Sequence, residues 1–385
     1  MPPPSATGYA RLTKFQARAA LAGMLLAFGL GVAVTLSPWA QGFADHEDRG
    51  PGDVALYRAE ADRIQAGEGY YQAAGAELRA RGYPTRSVFN WRTPLPVWLL
   101  GHLPTVESGK ILLGGLALLL ALLGFEAVAR EGDGPSSCAH HAQHGHKNGS
   151  VRRAAAGALL LSGPLMFCVL GDLLVMPVLW AGVLIALSLC AYGLQRPGWG
   201  LLCGVAAVFF RELALPYCLL MAALAWRHKR YGELLGWFVG LAAWAAFFAA
   251  HWVQVAALIR PDARAHPGSW LQFGGAGFVI ATAQMNAYLL LLPQWVTAVY
   301  LVAALCGLAG WNTPLGRRIA LTACAYTAAF AVVGYEFNQY WGCLTAPLWC
   351  FGLAQFPASL ADLWKAAGNA APAVRPFQAD HCVQR

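Results

Sequence analysis

The chain has 385 residues, 58% of them hydrophobic and only 12% charged, with a mean hydropathy of +0.47. An average soluble domain carries about twice that charge fraction. This balance excludes a disordered chain, a nucleic-acid-binding module and an ordinary cytosolic enzyme, and predicts a protein whose solvent is mostly lipid. In such a protein the net charge of +8 follows from basic loops that set orientation and face anionic lipid.

A helix that crosses a bilayer needs about 20 mostly apolar residues. The first such stretch is 19–40, preceded by Arg11, Lys14 and Arg18, which places the N-terminus on the cytoplasmic side. Further spans are predicted over 110–129, 154–171 and 173–195, with Asp172 at the turn between the last two. Residues 197–210 and 213–226 are uncharged runs too short to cross alone, separated by Arg211 and Glu212. They read either as one helix with charges at depth or as two half-helices that enter and return; the second keeps Arg227, Lys229 and Arg230 inside. Adjacent residues do not face each other on a helix, so Arg211 and Glu212 are expected to find partners elsewhere.

The span 234–259 follows, and 267–316 carries no charge, with a break at Pro293 and Gln294. Residues 319–334 run outward, 335–341 face outside, and 343–360 return to a cytoplasmic tail over 366–385. The fold class is thus an all-α polytopic membrane protein, with 1–365 as one domain. It has about eight full spans plus a re-entrant pair, or ten spans. A multi-pass plasma-membrane location with both termini cytoplasmic follows. Cysteines such as Cys168, Cys190 and Cys218 lie inside apolar runs and act as small hydrophobes.

Polar chemistry collects on the outer face. The outer loop 45–93 is too long for a connector, since structureless loops beyond about 12–15 residues are uncommon unless functional. Tyr57, Ala61, Ile64 and Gly67 are spaced as an amphipathic helix stopped by glycine. A second helix is predicted from about Tyr71 to before Gly82. Asp53 falls at a helix start, where a carboxylate gains from the dipole; Glu47 and Asp48 are substitutes for it. Arg58 and Arg92 belong to the same loop, Arg260, Asp262, Arg264 and His266 to another, and Glu336, Asn338 and Tyr340 to the last. A tract in the inner loop 130–153, with Cys138, His140, His141, His144 and His146, has metal-binding residue types without the spacing of a structural zinc site.

Gly52-Asp53-x-x-x-Tyr57, Gly67-x-x-Tyr70-Tyr71, Gly82-Tyr83-Pro84 and Phe89-x-x-Arg92-x-Pro94 resemble the first outer loop of GT-C-type glycosyltransferases. Arg211-Glu212-Leu213 and Tyr340-Trp341-Gly342 are similar to later parts of that pattern. These are polytopic enzymes that use polyprenyl-phosphate sugars, among them protein O-mannosyltransferases and lipid mannosyltransferases. The resemblance implies a hexosyltransferase-type, inverting enzyme with Asp53 as catalytic base. Val54 stands where some members carry a second acidic residue, and the large C-terminal soluble domain of several members is missing. Metal use therefore stays open, with a divalent cation as an alternative and no metal ligand assigned.

The chemistry itself needs a base for the acceptor hydroxyl and cations for the departing phosphate. Asp53 supplies the first. Arg58, Arg92, Arg211, Arg260 and Arg264 are the candidate phosphate ligands, because guanidinium meets phosphate in bidentate fashion. Asp172, Glu212, Glu336, Asn338 and Tyr340 are candidate substrate contacts. The expected partners are a polyprenyl-phosphate sugar donor and the lipid bilayer, with the acceptor unassigned and no nucleic acid. The rival reading is a secondary transporter with a midplane site near Arg211 and Glu212.

Overall fold

The computed structural model describes residues 7–37, 52–131, 143–265, 268–269 and 271–368. Among them the chain is helical throughout, apart from turns and one isolated β-bridge between Leu271 and Val333. The helices are α1 Lys14–Leu36, α2 Gly52–Gln65, α3 Tyr70–Ala80, α4 Val88–Trp91, α5 Leu95–Gly101, α6 Ser108–Arg130, α7 Gln143–Leu165 and α8 Pro177–Gly193. They continue as α9 Pro197–Phe210, α10 Leu215–Arg227, α11 Tyr231–Leu258, α12 Gly275–Ala283, α13 Gln294–Gly310, α14 Pro314–Val332 and α15 Ala346–Ala367.

Four stretches are long and apolar enough to cross a membrane: Lys14–Leu36, Ser108–Arg130, Gly149–Cys168 and Tyr231–Leu258. The 3₁₀ helix Glu336–Leu344 and α15, bent by 65° at Thr345, make a fifth if they are one span. The other expected spans, 173–195, 319–334 and those within 267–316, fall on helices that are not among these candidates, α8 and α13 being too short. This is a multi-pass membrane architecture by length and composition. Exposed apolar side chains such as Leu25, Ile111, Leu159 and Val253 face outward as lipid-facing helices require.

Local sequence explains the ends. Thr13 opens α1 with a capping box: its hydroxyl accepts from the Gln16 amide at 3.3 Å, and its own amide donates to Gln16 Oε1 at 3.0 Å. Pro177, Pro197 and Pro314 occupy first turns, where a missing N–H costs nothing. Helix α2 ends before Gly67 (φ +97°) and α3 before Gly82 (φ +70°), positions that need the left-handed region glycine tolerates.

Between α9 and α10 the helix breaks at Arg211, whose backbone is extended (φ −151°, ψ 122°). Pro216 lies in the first turn of α10, and a continuous helix there would lose the amide bond to the residue 212 carbonyl. The two helices fold back on each other. Cys218 Sγ donates to the Gly204 carbonyl at 3.3 Å, whereas a straight helix would hold those residues about 21 Å apart. Of the two forms the sequence allows for this segment, the single continuous helix is absent.

Contacts sort the bundle into two ends. At one, Arg18 Nε donates to the Ala367 carbonyl at 3.1 Å, Trp311 Nε1 donates to Glu131 at 2.7 Å, and Arg318 stacks over Tyr192. The opposite end carries α2–α5, the apex between α9 and α10, and the 3₁₀ helix. That last element is seated by backbone contact: a Cβ on Gly342 would collide with the Thr282 carbonyl, and one on Gly182 with the Cys343 carbonyl. The described cysteines are all free thiols.

Candidate functional site

The site is built from three parts of the chain that are far apart in sequence. Helix α2 presents Asp53 in its first turn, with Tyr57 one turn later on the same face. Both carboxylate oxygens of Asp53 accept hydrogen bonds from phenols: Tyr83 donates to Oδ1 at 3.0 Å and Tyr340 to Oδ2 at 2.9 Å. Asn338, buried, receives the Tyr335 amide on Oδ1 at 3.0 Å and donates from Nδ2 to the Tyr340 hydroxyl at 3.4 Å. A run of polar groups therefore leads from the 3₁₀ helix Glu336–Leu344 to the start of α2. Burial and, after it, the charge of Asp53 hold the Tyr83 phenol above its ordinary range, so it stays a proton-bearing donor.

Arg92 stands behind Tyr57. Its Nε donates to the Tyr57 hydroxyl at 2.9 Å, and its Nη1 donates to the Phe89 carbonyl. Its backbone is unusual for a residue with a side chain, at φ 56° and ψ 168°, a region close to glycine-only. Tyr70 fixes it there, its hydroxyl donating to the carbonyls of Trp91 and Arg92. Strain held by a buried phenol beside a cluster of charges is what a pre-organised site displays.

The apex between α9 and α10 closes the site. Arg211 pairs with its neighbour Glu212 at 3.1 Å, and Glu212 reaches Arg92 at 3.9 Å. The expectation that adjacent residues would not pair fails because the helix is broken there and Arg211 is extended. The Arg211 side chain is 3% exposed, and its Nε has no hydrogen-bond partner. The buried Arg211 and the largely buried Arg92 thus share one carboxylate. Burial raises the proton affinity of the Tyr57 phenol; Arg92 and Arg211 pull it down, and Asp53 and Tyr340 push it up.

Other predicted site residues lie elsewhere. Arg58 is committed to carboxylates, at 2.6 Å from Glu107, 3.5 Å from Asp172 and 3.7 Å from Asp62. Asp172 is therefore an ion-pair partner of Arg58 and has no contact with Asp53. The pair belongs to an exposed clasp between α2 and the start of α6, where Lys110 also meets Glu107 at 2.7 Å. Arg260 and Arg264 are exposed and form no ion pair among the described residues. The Arg264 carbonyl accepts the Arg86 amide at 3.1 Å. Glu336 is exposed on the 3₁₀ helix that carries Asn338 and Tyr340. Glu47, Asp48 and His266 lie outside the described residues, as do the side chains of the histidine tract. Among the described residues, no three His, Cys, Asp or Glu side chains converge as metal ligands.

Sequence reasoning passed over two buried groups. Glu60, 2% exposed, lies two turns beyond Asp53 on the same face of α2, so helical spacing alone could have found it. His251 on α11 is equally buried and meets the Tyr71 hydroxyl through Nδ1 at 3.2 Å, a pairing no spacing could reveal. Compared with known proteins, the chain matches no family model, no curated protein and no solved structure.

Proposed function

We propose that the protein is an integral membrane glycosyltransferase. It transfers a sugar from a polyprenyl-phosphate donor to a lipid, glycan or other acceptor at the outer face of the membrane. The observation that carries this reading is one juxtaposition: a carboxylate held by two phenols, beside a buried arginine pair that shares a single carboxylate. The GT-C-like pattern of the first outer loop agrees with it. The basic clusters at the opposite end agree with the site lying outside and both termini lying inside.

In this reading Asp53 takes the proton of the acceptor hydroxyl as that oxygen bonds to the anomeric carbon. The bond from the anomeric carbon to the phosphate oxygen breaks at the opposite face, and polyprenyl phosphate leaves. Arg92 and Arg211 carry the charge of that leaving phosphate, and Tyr83 and Tyr340 fix the carboxylate. General-base assistance contributes about 10²–10⁴-fold, and pre-organised cations contribute on a similar scale. Arg58 is better placed as a structural clasp than as a phosphate ligand. The Arg92–Glu212 contact favours one outer site over a separate transport site at Arg211 and Glu212.

The test is sugar transfer or slow donor hydrolysis in proteoliposomes, with a panel of polyprenyl-phosphate sugars. Turnover with one donor is expected, together with its loss in Asp53→Asn. Solute uptake by the same vesicles, with no turnover or binding of any donor, would favour the transporter.

A further inference from the structure

Glu60 takes no part in the chemistry above, yet it is among the most deeply buried polar groups at that end of the molecule. Its Oε2 has no hydrogen-bond partner. A lone carboxylate in such a place is expensive, and a buried acid relieves the cost by keeping its proton. Its surroundings can be named on every side. Helix α2 itself offers Asp53 and Tyr57, α3 offers Tyr70, Glu77 and Arg81, and Arg92 follows α4. Helix α5 and the turn Leu173–Val175, both packed on α2, have no titratable side chain. Glu77 is already held by Arg63 at 3.3 Å and Arg81 at 3.2 Å, so those cations are committed to another acid.

Charge counting then gives Glu60 a role. Arg92 and Arg211 share Glu212, and Asp53 is a second carboxylate acting on Arg92. An uncharged Glu60 therefore leaves the site balanced, with guanidinium donors open to an anion. An ionised Glu60 adds a negative charge that opposes the anion. Tyr70 is electrostatically coupled to Glu60 and donates to the Arg92 carbonyl, so a change of charge at Glu60 acts on the strained backbone that aims Arg92. We propose that Glu60 is a positioning residue for Arg92 that works as an uncharged carboxyl, and whose ionisation withdraws Arg92 from the anionic ligand. Burial first, and the neighbouring Glu77 second, push its proton affinity up to about 8. The gate therefore operates on the alkaline side of neutrality.

The gate rests on the donor reading, because the anion it serves is the donor's phosphate. The test uses the full-length protein in nanodiscs and a short-chain polyprenyl phosphate as probe, with wild type and Glu60→Gln compared at pH 7 and pH 9.5. Wild type should lose about tenfold or more of its affinity as the competent form is depleted, while Glu60→Gln should change less than about twofold. Equal losses in the two proteins, or no loss in wild type, would overturn the gate. An infrared titration in D₂O reads the charge state without any ligand. It should show a protonated-carboxyl band at pH 7 that fades with a midpoint near 8 and is missing from Glu60→Gln; a band already absent at pH 7 overturns the assignment. If Glu60→Gln does not fold, Glu77→Gln serves, since losing that negative neighbour should move the wild-type midpoint to lower pH. Failure of wild type to bind polyprenyl phosphate at either pH, with the infrared band present, would count against the donor reading and leave the uncharged state of Glu60 established.

Discussion

Two ion clusters lie at the same end of this bundle and are built oppositely. Around Arg58, two cations, Arg58 and Lys110, face three acids, Asp62, Glu107 and Asp172, and every member is substantially open to solvent. Around Glu212, two arginines face one acid, and all three are largely buried. In water an ion pair contributes little, about 0–1 kcal/mol, and excess charge is screened. Out of water a cation is costly unless acids lie close, as Glu212 and Asp53 do to Arg92. Composition would rank Arg58 and Arg92 alike as phosphate ligands; surroundings separate them, since Arg58 faces an excess of acids whereas Arg92 and Arg211 share a single ion-pair partner.

That contrast can be tested from its strongest consequence downward. Arg92→Gln should lower turnover by about 10²–10³-fold, the usual loss when a pre-organised charge-stabilising group is removed; kinetics with the responsive donor check it. Glu212→Gln should destabilise the fold by about 3 kcal/mol, because both guanidiniums lose their acid. It should also tighten phosphate binding, and the opposing signs can be read by thermal unfolding with and without polyprenyl phosphate. Glu60 gives a pH signature. The folded chain keeps its proton up to about pH 8, whereas the unfolded chain releases it near 4.5, so folding takes up a proton between those values. Stability should therefore fall as pH rises from about 4.5 to about 8 and level off above, and Glu60→Gln should flatten that slope. Arg58→Ala is the smallest effect: about 1 kcal/mol or less, shrinking with added salt, and turnover within about threefold of wild type.

Much of the architecture was legible in the sequence because it follows from local pattern. The helices of the 45–93 segment and their glycine stops appear where spacing and turn chemistry place them. Whether the helix is interrupted at Arg211 was not fixed, since two apolar runs flanking a charge pair suit either one continuous helix or two half-helices. The site divided along the same line. Asp53 was visible at a helix start, and Tyr340 and Asn338 in a polar segment. Their mutual bonding across most of the chain was not, because partner choice is a tertiary property. Arg58 shows the same limit: a guanidinium in this loop reads as free in the sequence, whereas its carboxylates, Glu107 at the start of α6 and Asp172 beyond α7, are tertiary partners. Glu60 was passed over although its spacing from Asp53 marks the same face, since a glutamate on an amphipathic surface helix is expected to face water.

The most direct measurement sets Asp53→Asn beside Arg58→Ala in the same proteoliposomes, with the donor that wild type turns over. Asp53→Asn should keep donor binding and lose about 10²–10⁴-fold in turnover, while Arg58→Ala stays within a few-fold of wild type. Turnover retained in Asp53→Asn, or lost as deeply in Arg58→Ala, would contradict the assignment of the chemistry to the buried cluster.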